Sequence, residues 1–587
     1  MILDKINSPQ DLKQLSIQEM EQLAQEMREL IIKKVNTTGG HMAPNLGVVE
    51  LTMALHYVFN SPVDKIVFDV SHQCYPHKIL TGRKEGFLTP ENYLKYTGYT
   101  APHESEHDLF TVGHTSTSVS LATGVAKARD LKEEKHNVIA LIGDGSLTGG
   151  EALEGLNNAA VLGSNMIIVV NDNDMSIAEN YGGIYANLAE LRTTNGKAEC
   201  NFFKSIGFDY VYVDEGNNIE KLIEAFEKVK DIDHPIIVHV KTLKGCGLAQ
   251  AEQNKEKFHW VCPGVLNEPE ATTIQAYETY ESITTDFILN KAKEDKTVLA
   301  ITPATPGATG FTKDFRQKLG KQYTDVGIAE EHAIAYASAM AKSGANPFLA
   351  ILSSFVQRTY DQLSQDLCLN KSPMTMLVYW GAISGADCTH LGCFDIPLIS
   401  NIPNMVYLAP TCKEEYLAML EYAYKQKSHP LAIRVPFTEV ISTGIEDKTD
   451  YSILNKFKLE EKGEKIAILG LGNFFHLAKE VKTELKEKLN IDSTLINPRF
   501  ITGIDEEMLE DLKNNHSVVI SLEDGLLNGG FGEKIARFYG DSDIKVLCYG
   551  AKKEFTDRVS IDELYTKFRL KKDLILKDVV DVLSISN

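Results

Sequence analysis

The sequence predicts an α/β protein of three domains, each with a largely parallel sheet flanked by helices. Short apolar runs recur along the chain, and each is followed by a glycine-rich turn and then by helical periodicity. Buried strands that alternate with helices indicate parallel sheets. At 587 residues the chain is also too long for a single hydrophobic core. The runs begin NVIALIGDG, NMIIVVNDND, PIIVHVK, KTVLAITPA, FLAILSSF, TMLVYWGAI, EKIAILGLGN and HSVVISLEDG.

The runs fall into three groups, from which we predict the domain boundaries. The first domain covers residues 1–285 and includes the polar stretch NEPEATTIQAYETYES near its end. The second covers 286–445. The third covers 446–587 and begins in the polar segment ISTGIEDKTDYSILNKFKLEEKGEK.

The composition excludes several classes of protein. The formal net charge is -21, so a phosphate backbone would be repelled and we expect no nucleic-acid partner. The nine cysteines are scattered without a C-x-x-C pair, which favours reduced thiols over a disulfide framework. The start MILDKINSPQDLKQLS lacks the apolar segment of a secretory signal, and no apolar run approaches the roughly 18 residues of a membrane helix. We therefore expect a cytoplasmic protein without a membrane partner.

The strongest local signal is a pair of polar sequences that follow two successive apolar runs. GDG at 143–145 ends one run and precedes a helix, and NDN at 171–173 ends the next. Open α/β sheets bind ligands at the carboxyl ends of their strands, where glycine admits close approach and a helix N-terminus favours an anion. The oxygens of Asp144 and Asn173 suit Mg²⁺ bridging a diphosphate. GDG alone favours an ordinary strand–turn–helix, but the combination is typical of thiamine diphosphate enzymes.

Glu330, in GIAEEHAIAYASAMAKSG, stands at a predicted junction of strand and helix. A glutamate there is usually a charge at a helix N-terminus. In a thiamine enzyme a buried glutamate hydrogen-bonds the aminopyrimidine N1′ and promotes deprotonation of the thiazolium. The GDG and NDN sequences favour this second interpretation. By contrast, GLGNFF at 470–475 has Phe475 where a dinucleotide-binding fingerprint needs glycine, so we interpret it as a structural turn.

Several histidines lie beside glycines or in turns. Each one alone is more often a hydrogen-bonded structural residue than a catalyst. Their recurrence in such turns exceeds expectation, and histidine is the commonest acid–base group. They are His41, His72, His77, His114 and His259.

Together these sequences resemble the 1-deoxy-D-xylulose-5-phosphate synthase family of transketolase-like enzymes. The matching segments follow one order along nearly the whole chain and include TGGHMAPNLGVVELTMALHYVF, DVSHQCYPHKILTGR, VGHTSTSVS, DVGIAEEHA, SSFVQRTYDQ, GADCTHLGCFD and NPRFITGID. The resemblance implies a homodimer with thiamine diphosphate and Mg²⁺ between the first two domains. It implies a carboligase that decarboxylates pyruvate, or a close 2-oxo acid, and transfers the two-carbon unit to an aldehyde, which in the family is D-glyceraldehyde 3-phosphate. The implied setting is isoprenoid and thiamine biosynthesis.

The resemblance also implies roles for individual residues. The expected metal ligands are Asp144, Asn173 and the Met175 carbonyl. The residues expected around the cofactor are His72, Gly113, His114, Thr115, Gly145, Ser146, Asn173, Lys244 and Leu248, with Phe355 stacked on the aminopyrimidine and Glu330 activating it. The histidines expected at the reacting centre are His41, His72 and His259, and Asp387 and His390 are expected to line the acceptor pocket.

Three positions of the expected substrate pocket depart from the family pattern. The family usually has Tyr at the position of Leu352 and Arg at those of Trp380 and Phe437. A charge-assisted hydrogen bond contributes roughly 1.5–3 kcal/mol, so losing two arginine contacts would weaken phosphate binding by about two to four decades. An apolar or unphosphorylated acceptor is therefore an alternative to glyceraldehyde 3-phosphate. The chain also has an abbreviated segment after AENYGGIYANLAEL.

Other cations could compensate, and the candidates are Arg358, Arg434 and Lys425. Two further functions stay open: ketol transfer without decarboxylation, as in transketolase, and cofactor binding by a regulatory paralogue without activity. The segments THLGCFD and SHQCYPHK favour the synthase branch, and the retained Glu330 argues against a paralogue without activity.

The segment LVYWGAISGADCTHLGCFD offers one more interpretation, since Cys388, His390 and Cys393 read C-x-H-x-x-C. Structural zinc sites need four closed ligands, and no second ligand pair lies nearby in the sequence. We therefore expect Asp387 and His390 to serve the acceptor pocket rather than a metal.

Overall fold

The structure is a computed structural model and describes residues 1–267 and 277–583. These residues form two compact units. The first includes the described residues of Met1–Ile274 together with Gly327–Ala329, and the second includes those of Gln275–Val326 and Glu330–Asn587.

The first unit contains a five-stranded sheet. Its strands are β1 (Lys65–Phe68), β2 (Val138–Gly143), β3 (Met166–Asp172), β4 (Asp209–Val213) and β5 (Pro235–Lys241). They lie in the order β1-β2-β3-β5-β4, and each neighbouring pair is parallel. All residues of β3 are buried, as expected for a central parallel strand with helices on both faces.

Helices cover both faces of this sheet. One face packs on Val49–Val58 and Ile219–Val229 through Leu141 and its neighbours, and the other packs on Ser118–Leu131 and Gly150–Ala159 through Ile142. The other α-helices that the structure describes in the first unit are Pro9–Leu12, Ile17–Thr38, Ala43–Leu46, Tyr75–Lys78, Glu85–Leu88, Gly183–Thr193, Phe202–Ser205 and Ala249–Gln253.

The second unit contains two sheets. The strands of the first are β6 (Val298–Thr302), β7 (Tyr323–Asp325), β8 (Asn346–Leu352), β9 (Thr375–Tyr379), β10 (Val406–Leu408) and β11 (Leu431–Arg434), in the parallel order β10-β11-β9-β8-β6-β7. The strands of the second are β12 (Lys458–Glu461), β13 (Lys465–Gly470), β14 (Thr494–Asn497), β15 (His516–Leu526) and β16 (Lys545–Ala551), in the order β12-β14-β13-β15-β16. In this last sheet only the pair β12–β14 is antiparallel.

One buried apolar cluster joins the two sheets of the second unit, with Tyr407 and Ile496 among its members. The backbone joins them as well, since Ile501 N donates to Tyr407 O at 2.7 Å. The α-helices that the structure describes in this unit are Tyr280–Glu294, Lys313–Leu319, Glu330–Lys342, Ser353–Val356, Tyr360–Gln362, Asp395–Ser400, Lys413–Lys425, Phe475–Leu489, Glu506–Leu512, Phe531–Phe538, Ile561–Lys567 and Lys572–Leu583.

The predicted fold class, α/β with largely parallel sheets flanked by helices, is confirmed. The eight quoted runs form β2, β3, β5, β6, β8, β9, β13 and β15. Among the residues that the structure describes, no helix is both long enough and apolar enough to cross a membrane. The nine cysteines all lie in the described part of the chain, and none of them forms a disulfide.

Candidate active site

The GDG and NDN sequences meet at one edge of the first sheet. The register of β2 and β3 pairs Gly143 with Asn171, so both polar sequences leave the sheet side by side. The backbone continues this pairing, because Asp144 N donates to Asn171 O at 3.1 Å. Parallel strands thus bring together two segments whose spacing in the sequence alone only suggested proximity.

The predicted metal ligands converge at this edge. Asp144 is 2% exposed, and its Oδ2 accepts hydrogen bonds from Met175 N and Asn180 Nδ2, each at 3.0 Å. The Oδ1 atom of Asn173 is buried and accepts no hydrogen bond within the described residues. Burial, together with the charge of Asp172, raises the pKa of Asp144 to about 7. A hard divalent cation would satisfy the Asn173 oxygen and favour ionised Asp144, so this set of oxygens fits Mg²⁺.

Buried Lys244 and three half-buried histidines form a cluster in the same unit. Lys244 Nζ lies 3.0 Å from His259 Nδ1, and burial lowers the pKa of Lys244 to about 7. The ring centroids of His41, His72 and His259 are 4.9–5.5 Å apart. Burial and then the charge of Lys244 lower the pKa of His259 well below its ordinary value. His259 is therefore a neutral imidazole at neutral pH.

The predicted loop 113–115 is held in place by Asp69, which follows β1. The fully buried Asp69 carboxylate accepts hydrogen bonds from the backbone N–H groups of Ser116 at 2.8 Å and Ser118 at 3.0 Å. Ser116 Oγ in turn donates to Ser146 O at 2.8 Å. This arrangement joins the loop containing Gly113, His114 and Thr115 to the turn after β2.

The other predicted cofactor residues of this unit lie in the short 3-10 helix Gly145–Thr148 and just before the helix Ala249–Gln253. Gly145 approaches its neighbour closely, because an added Cβ would lie 3.0 Å from Ser176 Oγ. Ser146 is buried in the same turn. Leu248 precedes the helix Ala249–Gln253 and packs against the apolar cluster of the N-terminal helices.

In the second unit, Glu330 is the first residue of the helix Glu330–Lys342 and is 2% exposed. Its Oε2 lies 3.5 Å from Nη1 of Arg358. Burial raises the pKa of Glu330, while the Arg358 charge opposes the shift. This carboxyl group therefore holds a proton more readily than an exposed glutamate does.

Asp387 and His390 lie together in the loop after β9. His390 Nδ1 is 3.5 Å from Asp387 Oδ1, and its ring meets Phe355 edge-on with centroids 5.8 Å apart. Although burial alone would raise the pKa of Asp387, the hydrogen bond and charge of His390 lower it to about 2. The two cysteines of this loop have other surroundings: Cys388 N donates to Asp557, and Cys393 is buried in an apolar cluster.

The three departures from the family pattern differ in their surroundings. Leu352 is buried in the core at the end of β8. Trp380 and Phe437 are 43% and 47% exposed, and their ring centroids lie 6.2 Å apart. The structure therefore pairs two aromatic side chains where the resemblance implies two arginines.

The candidate compensating cations already have partners. Arg434 is buried, and its Nε donates to Asp395 Oδ2 at 2.7 Å while its Nη2 donates to Asp524 O at 2.7 Å. Lys425 lies on the surface, with its Nζ 2.9 Å from Glu421. Arg358 faces Glu330 as described above.

Three residues that were not predicted hold the predicted site residues in place by hydrogen bonds. Asn45 Nδ2 donates to the carbonyl oxygens of His41 and His72 at 2.8 Å each, and Asn180 donates to Asp144. Asp69 could have been found, because it follows the apolar strand KIVF just as Asp144 follows its own strand. Asn45 and Asn180 carry no comparable signal, since their importance depends on contacts with distant segments.

Comparison with known proteins identifies the class and then the family. Residues 279–440 match the model for the transketolase pyrimidine binding domain, and residues 455–575 match that for the transketolase C-terminal domain. The chain is therefore a transketolase-like enzyme. Residues 3–201 and 194–242 match a model described as 1-deoxy-D-xylulose-5-phosphate synthase.

Full-length relatives carry that name. A 1-deoxy-D-xylulose-5-phosphate synthase from Caldanaerobacter subterraneus is 37% identical, with 99% of each chain covered. One from Clostridium tetani is 38% identical, also with 99% of each covered. The chain belongs to the 1-deoxy-D-xylulose-5-phosphate synthase family, and the predicted enzyme class, a thiamine diphosphate-dependent carboligase, is confirmed. A solved transketolase structure from Campylobacter jejuni aligns over 97% of this chain and 100% of that chain at 17% identity, but its TM-score of 0.44 is too low to support a structural comparison.

Proposed function

We propose that this chain decarboxylates pyruvate and joins the remaining two-carbon unit to D-glyceraldehyde 3-phosphate. This reaction corresponds to the name that its full-length relatives carry. The observation that supports it best is the convergence of Asp144, Asn173 and Met175 beside the GDG turn, with a buried Asn173 oxygen that a cation would satisfy.

In this proposal the first unit binds the diphosphate. Asp144, Asn173 and the Met175 carbonyl hold Mg²⁺, and the Lys244 ammonium faces the anion. The glycine-rich turn at 145–146 and the loop 113–115 supply backbone N–H groups. When bound, thiamine diphosphate supplies the electron sink that decarboxylation of a 2-oxo acid requires.

The chain's own residues bind substrate and move protons. The carboxyl group of Glu330 holds a proton for the aminopyrimidine. Its burial favours this protonated form. The neutral His259, with His41 and His72, accepts or donates protons near the reacting atoms. Asp387 keeps His390 oriented in the acceptor pocket, and Phe355 supplies an aromatic face.

We also propose the domain organisation 1–285, 286–445 and 446–587, a homodimer, and a cytoplasmic location. These three proposals follow from the sequence grouping, from the family and from the unpaired cysteines. The product would enter isoprenoid and thiamine biosynthesis, as the resemblance implies.

A second acceptor class has one specific observation in its favour. Trp380 and Phe437 present aromatic surface, and Arg434 is already bound by Asp395 and by the Asp524 carbonyl. A phosphate dianion placed there would lose hydration without a matching cation. This favours an apolar or unphosphorylated aldehyde, whereas the full-length relatives favour glyceraldehyde 3-phosphate.

A steady-state assay with labelled pyruvate and a panel of aldehydes tests both acceptors. We expect release of CO₂ and formation of a new ketose only when thiamine diphosphate and Mg²⁺ are present. A micromolar KM for glyceraldehyde 3-phosphate would exclude the second acceptor class. Ketol transfer from a ketose without CO₂ release, or no turnover with any aldehyde, would contradict the proposed reaction.

A further inference from the structure

A buried ionic cluster lies directly behind the predicted metal loop. Asp172 is the central residue of the NDN sequence, and its carboxylate is fully buried. Nη1 of Arg192 donates to both Asp172 oxygens, at 2.7 and 2.8 Å. His239 Nε2 lies 2.8 Å from Asp172 Oδ2, and Tyr210 OH lies 2.7 Å from His239 Nδ1. None of these residues is among the predicted ligands.

The partners of Asp172 come from two directions. His239 on β5 holds the carboxylate from within the sheet, and Tyr210 on β4 contacts the other nitrogen of His239. Arg192 belongs to the helix Gly183–Thr193, which follows the loop in the chain. The arginine therefore holds the end of residues 174–191 against β3, while Asn180 and Tyr185 hold the segment against Asp144 and Gly145 after β2.

Arg192 also reaches across the loop. Its Nη2 donates to Asp174 Oδ1 at 2.5 Å, and Asp174 has a φ of +59° and a 63% exposed side chain. One planar guanidinium thus bridges the residues on both sides of Asn173. Lysine has a single nitrogen and cannot span two carboxylates in this way.

The bridge surrounds two predicted metal ligands. Asn173 lies between the two aspartates, and Met175 follows Asp174 and donates its N–H to Asp144. If the bridge opens, Asp174 keeps one contact to Asp172, its backbone N–H donating to Oδ1 at 3.1 Å, but its side chain loses its hold on Arg192. The Asn173 oxygen and the Met175 carbonyl then lose part of the support that fixes their directions, since Asp174 stands in the strained left-handed region. A divalent cation needs its oxygens already placed, so its affinity should fall.

We propose that Arg192 is a positioning residue for the metal site: by bridging Asp172 and Asp174 it holds Asn173 and Met175 in the arrangement that binds a divalent cation and the diphosphate it bridges. This inference rests on the proposed function, since it takes the metal site as given. It assigns to the helix Gly183–Thr193 a role that the sequence did not suggest.

Binding of Mn²⁺, followed by the electron paramagnetic resonance signal of the free ion, tests the bridge without measuring turnover. The titrations use the full chain with and without thiamine diphosphate. For Arg192→Lys we expect the Kd for Mn²⁺ to rise at least tenfold, and for Arg192→Gln to rise further. Asp174→Asn should give about a threefold rise, and its exposed position ensures a folded variant even if Arg192→Gln fails to fold.

Arg129→Lys is the matched control. Arg129 lies on the helix Ser118–Leu131, is more buried than Arg192, and donates to Asp130 and to the His136 carbonyl, away from the NDN loop. We expect its Kd for Mn²⁺ to stay within twofold of the wild type. Wild-type affinity in Arg192→Lys and Asp174→Asn, or an equal loss in Arg129→Lys, would overturn the bridge alone. Absence of Mn²⁺ binding by the wild-type chain would overturn the metal site itself, and the bridge with it.

Discussion

Trp380 illustrates how one residue constrains the acceptor loop. Its φ of +57° lies in the left-handed region, which costs an ordinary residue roughly 1–2 kcal/mol. Gly392 packs against it so closely that an added Cβ would lie 2.0 Å from the Trp380 carbonyl oxygen. The backbone at 380 and the absence of a side chain at 392 therefore place the loop that carries Asp387 and His390.

The aromatic pair makes the acceptor question testable at a single residue. Phe437→Arg places a cation beside Trp380 without emptying the core, because Phe437 is about half exposed. One charge-assisted bond to phosphate contributes roughly 1.5–3 kcal/mol, so we expect the KM for glyceraldehyde 3-phosphate to fall about tenfold or more. Steady-state kinetics should show an unchanged KM for unphosphorylated glyceraldehyde. Phe437→Leu is the control, and an equal response of the two variants would contradict a phosphate-specific effect.

Glu330 is the residue on which proton transfer depends in the proposed reaction. Glu330→Gln keeps the shape of the side chain and removes the titrating proton. We expect exchange of the C2 proton of bound thiamine diphosphate for deuterium to slow at least a hundredfold. The exchange is started in D₂O, quenched, and measured by NMR. Cofactor affinity should stay within a few fold. Unaltered exchange in a variant that still binds cofactor would be incompatible with the assigned role.

At the scale of elements, the edge formed by β2 and β3 depends on tight packing between turns. Gly149 precedes the helix Gly150–Ala159, and an added Cβ would lie 2.2 Å from Ser116 Oγ. Ser116 joins the loop 113–115 to the turn after β2. The start of this helix is therefore coupled to two predicted diphosphate-binding segments.

Adjacent glycines allow a matched test of this coupling. Gly149→Ala should displace Ser116, costing roughly 1–3 kcal/mol of stability and weakening thiamine diphosphate binding at least tenfold. Gly150→Ala meets no atom within 4 Å and should be neutral or slightly stabilising, because alanine favours helix. Calorimetric unfolding and cofactor titration compare the two variants. Similar behaviour of both would show that the contact with Ser116 is unimportant.

At the scale of the whole molecule, a group of buried and half-buried histidines makes stability depend on pH. His56 Nε2 lies 2.8 Å from His77 Nδ1, and the His77 Nε2 lies 2.8 Å from Asp108. Burial lowers the pKa of His56 and of His77, and burial together with the His77 charge lowers the pKa of His107 to about 4. In the unfolded chain each has a pKa near 6.5.

This difference sets the sign of the pH dependence. Between pH 6.5 and about 4 the unfolded chain binds more protons than the folded chain, so the free energy of unfolding falls as pH falls through this window. The free energy of unfolding lost between pH 7 and pH 4.5 can be measured by denaturant unfolding at the two pH values. We expect His107→Gln to reduce this loss by about 2 kcal/mol. The exposed His103→Gln is the control and should leave the loss unchanged. An identical pH response of His107→Gln and the wild type would refute the buried-histidine explanation.

The predictable part of the molecule is the part that local sequence encodes. A continuous apolar run such as MIIVVND can be buried only as a central strand or helix, and its glycine-rich surroundings favour the strand. The short edge strands β7 and β10 give no such signal, because three residues carry too little pattern. The polar residues after β2 and β3 were also predictable, because they directly follow these strands in the sequence.

The sequence by itself therefore determined the α/β class and the family, and it pointed to the polar ends of β2 and β3, since runs and motifs are local and keep their order. Only the tertiary structure decided which charged side chains already have partners within the protein. Arg434 is bound by Asp395, 39 residues away, and by Asp524, 90 residues away, while Arg192 bridges Asp172 and Asp174. A buried charge must find its partner wherever the fold places one, and that partner is not written in its neighbouring residues.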